Sequence, residues 1–274
     1  MTHPQITFIG AGNMARSLIS GLLHAGFPAT HIHATDVDLA KAQQLTHQLG
    51  IHSGNDNIAA VRQADVVVLA VKPQYMADML TALSADIPDY GQTLFISIAA
   101  GVTIGRLQSL LHGHDHIVRC MPNTPSLIGA GITGLYASPA VTDTERNQAA
   151  TMLQSVGRVL WVDSEAAINN VTAASGSGPA YFFLFMECMA AEAEKMGFSP
   201  ENARLLVQET ALGAAKMVIA NPTTPLATLR EQVTSKGGTT AAALNTFHDA
   251  HLSELVAAAM QAAKKRAEEM ETLF

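Results

Sequence analysis

Apolar residues follow two rhythms along this chain, and the change from one to the other divides it. Up to about residue 162, short apolar runs alternate with stretches of helical spacing. Ile6-Thr7-Phe8-Ile9 is the first run, and its β-branched residues predict a buried strand. Residues 13–23 then place Met14, Leu18, Ile19, Leu22 and Leu23 on one side, as an amphipathic helix does. Gly26 and Pro28 stop it. The alternation continues with strands predicted over 32–35, 65–71, 94–98, 117–121 and 158–162. Helices fall over 38–49, 74–84, 104–111 and 142–156, the last opened by a capping box of Thr142 and Glu145. Residues 65–71 are almost unbroken in apolar character, as parallel strands buried on both faces are. Strands alternating with helices predict an α/β domain with an open parallel sheet.

Beyond Asp163 the strand signal disappears. Helices are predicted over 179–195, 200–220, 225–233, 240–248 and 252–273, each bounded by Pro, Gly or a capping residue. The expected division is therefore 1–162 and 163–274. The long helices carry apolar residues on more than one face, more than one small domain can bury. A homodimer with intertwined helices, or a larger homo-oligomer of dimers, accounts for the excess. Phe182 to Phe185 read as a core stripe, and Cys120 and Cys188 as core residues.

The first strand runs into Gly10-Ala11-Gly12-Asn13-Met14-Ala15, a G-x-G-x-x-A turn opening a helix. That is the form of a dinucleotide-binding fingerprint. Gly10 permits the tight turn, Gly12 lets backbone approach a pyrophosphate, and Ala15 allows close helix–strand packing. The helix start adds free N–H groups and partial positive charge. Small or polar segments follow three more strands: Ala70-Val71-Lys72-Pro73, Ser97 to Gly101, and Met121-Pro122-Asn123-Thr124-Pro125. Ligands bind beyond the strand C-termini of such sheets, so these segments predict a shared cleft.

Composition narrows the partners. Hydrophobic residues make up 48% and charged ones 14%, with a net charge of −7 and no basic block. Nucleic acid and anionic membrane are not expected partners. Two cysteines without a C-x-x-C suit a reducing cytoplasm. Residues 180–186, the most apolar later run, are too short to span a membrane. Met1 to Gln5 leads directly into the first strand, leaving no room for a signal peptide. His112-x-His114-x-His116 invites a metal reading, but Gly113 and Asp115 suggest an exposed turn, and no metal site is expected.

Pro225-Leu226-x-x-Leu229-x-x-x-Val233-Thr234-Ser235-x-Gly237-Gly238-Thr239-Thr240 resembles the signature of pyrroline-5-carboxylate reductases. The glycine turn, Ala70 to Pro73, Ala99-Ala100-Gly101-Val102-Thr103, Met121 to Pro125 and Ser175-Gly176-Ser177-Gly178-Pro179-Ala180-Tyr181 resemble the same family, in order. The resemblance implies a Rossmann domain followed by an all-α dimerisation domain, like the C-terminal domain of 6-phosphogluconate dehydrogenase. It implies NAD(P)H-dependent reduction of 1-pyrroline-5-carboxylate to L-proline, the last step of proline biosynthesis. Cofactor contacts are then Gly10, Ala11, Gly12, Asn13, Met14, Thr35, Asp36, Asn57, Ala70, Val71, Lys72, Pro73, Ala99, Ala100 and Asn123. Substrate contacts are Ser175, Gly176, Ser177, Gly237, Gly238, Thr239 and Thr240, with Thr240 at the ring nitrogen as the catalytic side chain.

Two departures stand out. Lys236 replaces a frequent Pro. Asp36 follows Thr35 where many members carry small hydroxylated residues and prefer NADPH, and an acidic residue there suits a ribose 2′-hydroxyl. NADPH is the family expectation, and NADH is plausible. A β-hydroxyacid dehydrogenase is the nearest alternative enzyme, but the turn into the helix from Pro179 offers no lysine to deprotonate an alcohol. A non-catalytic nucleotide sensor would have no need of the Gly237-Gly238-x-Thr240 loop.

Overall fold

The computed structural model describes residues 3–274. The chain forms two compact units: residues up to Ser177 together with Ala263–Phe274, and Gly178–Ala262.

The first unit is built on eight strands: β1 Ile6–Ile9, β2 Ile32–Thr35, β3 His52–Gly54, β4 Val66–Leu69, β5 Leu94–Ser97, β6 Ile117–Met121, β7 Gly131–Ala137 and β8 Gly157–Trp161. They lie in one sheet in the order β3-β2-β1-β4-β5-β6-β7-β8. β1 sits between β2 and β4, so the strand order reverses there, which is where doubly wound sheets open a ligand crevice. Side chains alternate across the sheet. Ile6, Phe8, Val66 and Val68 pack under α1 (Asn13–His24) and α6 (Asp143–Gln154), through Leu18, Ile19, Met152 and Leu153. Ile9, Val67, Leu69 and Phe95 meet the other layer, including α4 (Met76–Asp86) and α5 (Ile104–Leu110), through Leu80, Leu83 and Leu107. Both faces are covered, which explains the unbroken apolar run at β4.

The sheet is not wholly parallel as expected: β7 runs antiparallel to β6. The sequence disguised β7 because glycine is a poor strand former. Here the glycines are required by space. A Cβ on Gly134 would meet the Val171 side chain 2.6 Å away, and Gly131 lies against Ser126. β3 was missed as well, being three residues of polar edge.

The division expected at 162 also moves. α7 (Ala167–Val171) buries Ile168 and Asn169 against the sheet unit. Arg119, 1% exposed on β6, donates from one Nη1 to Glu165 at 2.9 Å and to Glu271 at 2.8 Å. Glu165 also accepts from the Ile104 N–H at 2.7 Å, and Glu271 from Asn169 Nδ2 at 3.1 Å. A buried guanidinium needs carboxylate partners, and both come from beyond residue 162.

The second unit contains α8 (Gly178–Lys195), α9 (Pro200–Ala220), α10 (Leu226–Gln232), α11 (Thr239–Asp249) and the first part of α12 (Leu252–Met270). Ser199 caps α9 by accepting from the Asn202 N–H. Within the chain this unit leaves much apolar surface bare: Phe182 is 71% exposed, Phe183 61% and Ile219 73%. Phe182 to Phe185 and Cys188 are therefore not core residues of the single chain, whereas Cys120 is buried and its thiol is pushed up by desolvation. Among the described residues, no helix is long and apolar enough to cross a membrane.

Candidate active site

At the C-terminal end of β1 the chain turns through Gly10 at φ +104°, a conformation that favours glycine. Space requires it too, since a Cβ there would lie 2.6 Å from the Ala70 carbonyl. Gly12 is different: a Cβ there would meet nothing within 4 Å, so the turn faces open space. Gly12 is also the N-cap of α1 and offers no side-chain cap, leaving first-turn N–H groups available. That cradle fits a pyrophosphate.

Asp36 braces the turn. Its Oδ2 accepts from the Ala11 N–H at 2.9 Å and its Oδ1 from the Asp38 N–H at 2.9 Å. The Gly10 N–H donates to the Thr35 carbonyl at 2.7 Å, and Thr35 is fully buried. The glycine turn is thereby fixed to the end of β2.

A cleft of about 930 Å³ opens beside these residues. Of the expected cofactor contacts, Gly10, Gly12, Thr35, Asp36, Asn57, Ala70, Val71 and Lys72 line it together. Ala11, Asn13, Met14, Pro73, Ala99, Ala100 and Asn123 are not among its lining residues. Lys41 and Tyr75 line it as well and went unnoticed in the sequence. Lys41 lies in the first turn of α2 (Leu39–Leu49), donating its N–H to the Asp38 cap; only that spacing from Asp36 could have signalled it.

Asn123 is 8% exposed and has a different set of partners. Its Oδ1 accepts from the Ile132 N–H at 3.0 Å, and its Nδ2 donates to the Ser175 carbonyl at 3.2 Å. Ser175 and Gly176 belong to one π-helical turn, Thr172–Gly176, closed by the Ser177 N–H donating to the Thr172 carbonyl at 2.8 Å. Met121 packs so close to Gly176 that a Cβ there would lie 2.6 Å from its Cε.

In the second unit, Gly237 has φ +74° and Gly238 is the N-cap of α11, which opens at Thr239, one residue earlier than expected. The turn is tight: the Gly238 N–H donates to the Ser235 carbonyl at 3.0 Å, and Ser235 Oγ fills the place of a Gly238 Cβ. With no side-chain cap, Thr239 and Thr240 present their N–H groups and hydroxyls at a bare helix start. Thr240 is half-buried and Thr239 exposed.

The three histidines lie on the exposed turn expected of them, with His112, Gly113 and Asp115 exposed and His114 and His116 half-buried. His112 bonds the Ser84 carbonyl, His114 the Thr93 carbonyl and His116 Nδ1 the Glu145 carboxylate, at 2.8, 2.8 and 2.7 Å. Each ring has a separate partner. Burial lowers the His114 pKa.

Residues 165–270 match the family model described as pyrroline-5-carboxylate reductase dimerisation. Residues 5–101 match one described as NADP oxidoreductase, coenzyme F420-dependent. Over 274 residues the chain is 56% identical to the pyrroline-5-carboxylate reductase of Vibrio alginolyticus, covering 100% of both chains. The chain belongs to the pyrroline-5-carboxylate reductase family. A solved pyrroline-5-carboxylate reductase from Coxiella burnetii is 41% identical with a TM-score of 0.92, covering 98% of this chain and 99% of that one. The Plasmodium falciparum pyrroline carboxylate reductase, solved with NADP bound, is 27% identical with a TM-score of 0.86, covering 99% of each. The reductase signature from Pro225 to Thr240 falls on α10, the glycine turn and the start of α11.

Proposed function

We infer that this chain is a nicotinamide-dependent imine reductase converting 1-pyrroline-5-carboxylate to L-proline, the last step of proline biosynthesis. The observation that carries the reading is full-length identity of 56% to a curated reductase. The fingerprint turn agrees with it, having room at Gly12 and none at Gly10.

Gly10 to Met14 hold the pyrophosphate of NAD(P)H, Thr35, Asp36 and Asn57 its adenosine side, and Ala70 to Pro73 with Ala99 and Ala100 the nicotinamide side. When bound, the reduced nicotinamide supplies hydride to the C=N carbon. The rest falls to the chain. Gly237, Gly238 and Thr239 form the substrate carboxylate site at the start of α11, where the helix dipole favours an anion, the N–H groups of Gly237 and Thr239 binding it while that of Gly238 stays on the Ser235 carbonyl. Ser175, Gly176 and Ser177 contact substrate from the π-helical turn.

The Thr240 hydroxyl meets the ring nitrogen. In the pyrroline, the carbon bearing the carboxylate is bonded to that nitrogen, so one helix start serves both groups. Reduction makes the nitrogen more basic, and the hydroxyl accepts its N–H or relays a proton from water. The bare apolar faces of residues 178–262 pair in a homodimer, and the reaction takes place in the cytoplasm.

NAD(P)H consumption with 1-pyrroline-5-carboxylate tests the reaction directly. Thr240→Val, nearly unchanged in shape, removes one hydrogen bond worth about 1–3 kcal/mol, or roughly 5- to 150-fold in kcat/KM. Cofactor affinity, read by fluorescence titration, stays unchanged. Full activity in Thr240→Val removes the hydroxyl from the mechanism.

A further inference from the structure

Ser175 carries a carbonyl whose ordinary helical partner cannot exist. In a helix it would accept from the N–H of the residue four positions on, which is Pro179. Proline has no N–H, and its ring crowds the carbonyl four residues back. The π-turn Thr172–Gly176 lies just before that proline, and such expansions are commonly found where something interrupts the regular ladder. Ser177, the residue after that turn, keeps helical dihedrals, φ −84° and ψ −21°. The donor that reaches Ser175 comes instead from Asn123, 52 positions earlier in the chain and buried.

We propose that Asn123 is a positioning residue: by capping the Ser175 carbonyl orphaned by Pro179, it fixes the Ser175-Gly176-Ser177 turn for substrate. Its other end is held just as firmly, because Oδ1 accepts the Ile132 N–H at 3.0 Å. With that acceptor committed, the amide can point only its NH₂ at Ser175. Met121, two residues before Asn123, closes against Gly176 and leaves that glycine no room for a side chain. The loop after β6 therefore grips the turn at two adjacent points. This proposal rests on the reading of Ser175 to Ser177 as substrate contacts. It gives Asn123 a role other than the cofactor contact expected from its motif.

Asn123→Asp keeps the acceptor for Ile132 and loses the donor to Ser175. Pro179→Ala restores a backbone N–H at position 179. The expected result for Asn123→Asp is a fall in kcat/KM for the pyrroline of about tenfold or more. The dissociation constant for NAD(P)H, measured by fluorescence titration, changes less than about twofold. The double variant Asn123→Asp/Pro179→Ala recovers most of the lost kcat/KM, a coupling expected only where the loss runs through the Ser175 carbonyl. Where Asn123→Asp does not fold, Asn123→Ser, uncharged and two heavy atoms shorter, enters the same cycle. Wild-type kcat/KM, a parallel loss of cofactor affinity, or absence of rescue by Pro179→Ala each overturns the proposal. The cycle read as thermal midpoints tests the tether even if the pyrroline proves not to be the substrate.

Discussion

At Asp36 a single carboxylate accepts two backbone N–H groups, from Ala11 and Asp38, each at 2.9 Å, and stays half-buried on the cleft wall. Its orientation is therefore set before any nucleotide arrives. A fixed negative charge at the end of the second strand suits ribose hydroxyls and opposes a 2′-phosphate. Lys41 lines the same cleft and offsets part of that opposition. Activity with both NADH and NADPH is the expected outcome. Asp36→Ser should move the ratio of kcat/KM toward NADPH by on the order of 1–2 kcal/mol, roughly 5- to 30-fold. Steady-state kinetics with each cofactor measure it. An unchanged ratio would mean that the carboxylate serves the backbone alone.

Among the elements, α6 shows how a local signal gains a distant partner. Thr142 and Glu145 form the capping box that their spacing predicts. Glu145 Oε2 takes the Thr142 N–H at 2.7 Å while Oε1 takes His116 at 2.7 Å, tying the helix start to the residue before β6. Burial works against the Glu145 charge, but the Thr142 and His116 hydrogen bonds outweigh it, and the carboxyl is held below its ordinary 4.5. A depressed folded-state pKa stabilises above the unfolded value and is lost as pH falls through the folded one. Thermal midpoints should therefore show Glu145→Gln less stable than the parent at neutral pH, with the gap closing below about pH 4.5. A gap unchanged by acid would contradict the assignment.

The box was legible because its residues are three apart. The π-turn at Thr172–Gly176 was not, since its helical side read as a plain small-residue turn and its tether is 52 positions away. β7 escaped notice because Gly131 and Gly134 serve spatial neighbours, Ser126 and Val171, that local spacing does not reveal. The glycine turn, by contrast, lies in consecutive residues, and its spacing picks out Gly10 and Gly12, both on the cleft wall.

For the whole molecule, the exposed Phe182, Phe183 and Ile219 are hard to reconcile with a stable monomer in water. Sedimentation at micromolar concentration should find a dimer or a multiple of it, and a monomer would refute the homodimer. Arg119 explains why the first compact unit runs past residue 162: Glu165 and Glu271, its two carboxylates, stand on either side of the helical stretch. Residues 263–274 return to the sheet unit after the chain has completed Gly178–Ala262. On the ribosome this order matters. The glycine turn and all eight strands emerge early, yet the guanidinium at their centre waits for Glu271 until the whole helical stretch has been translated. The nascent nucleotide-binding half thus holds its buried guanidinium with Glu165 alone until the last residues of the chain are made.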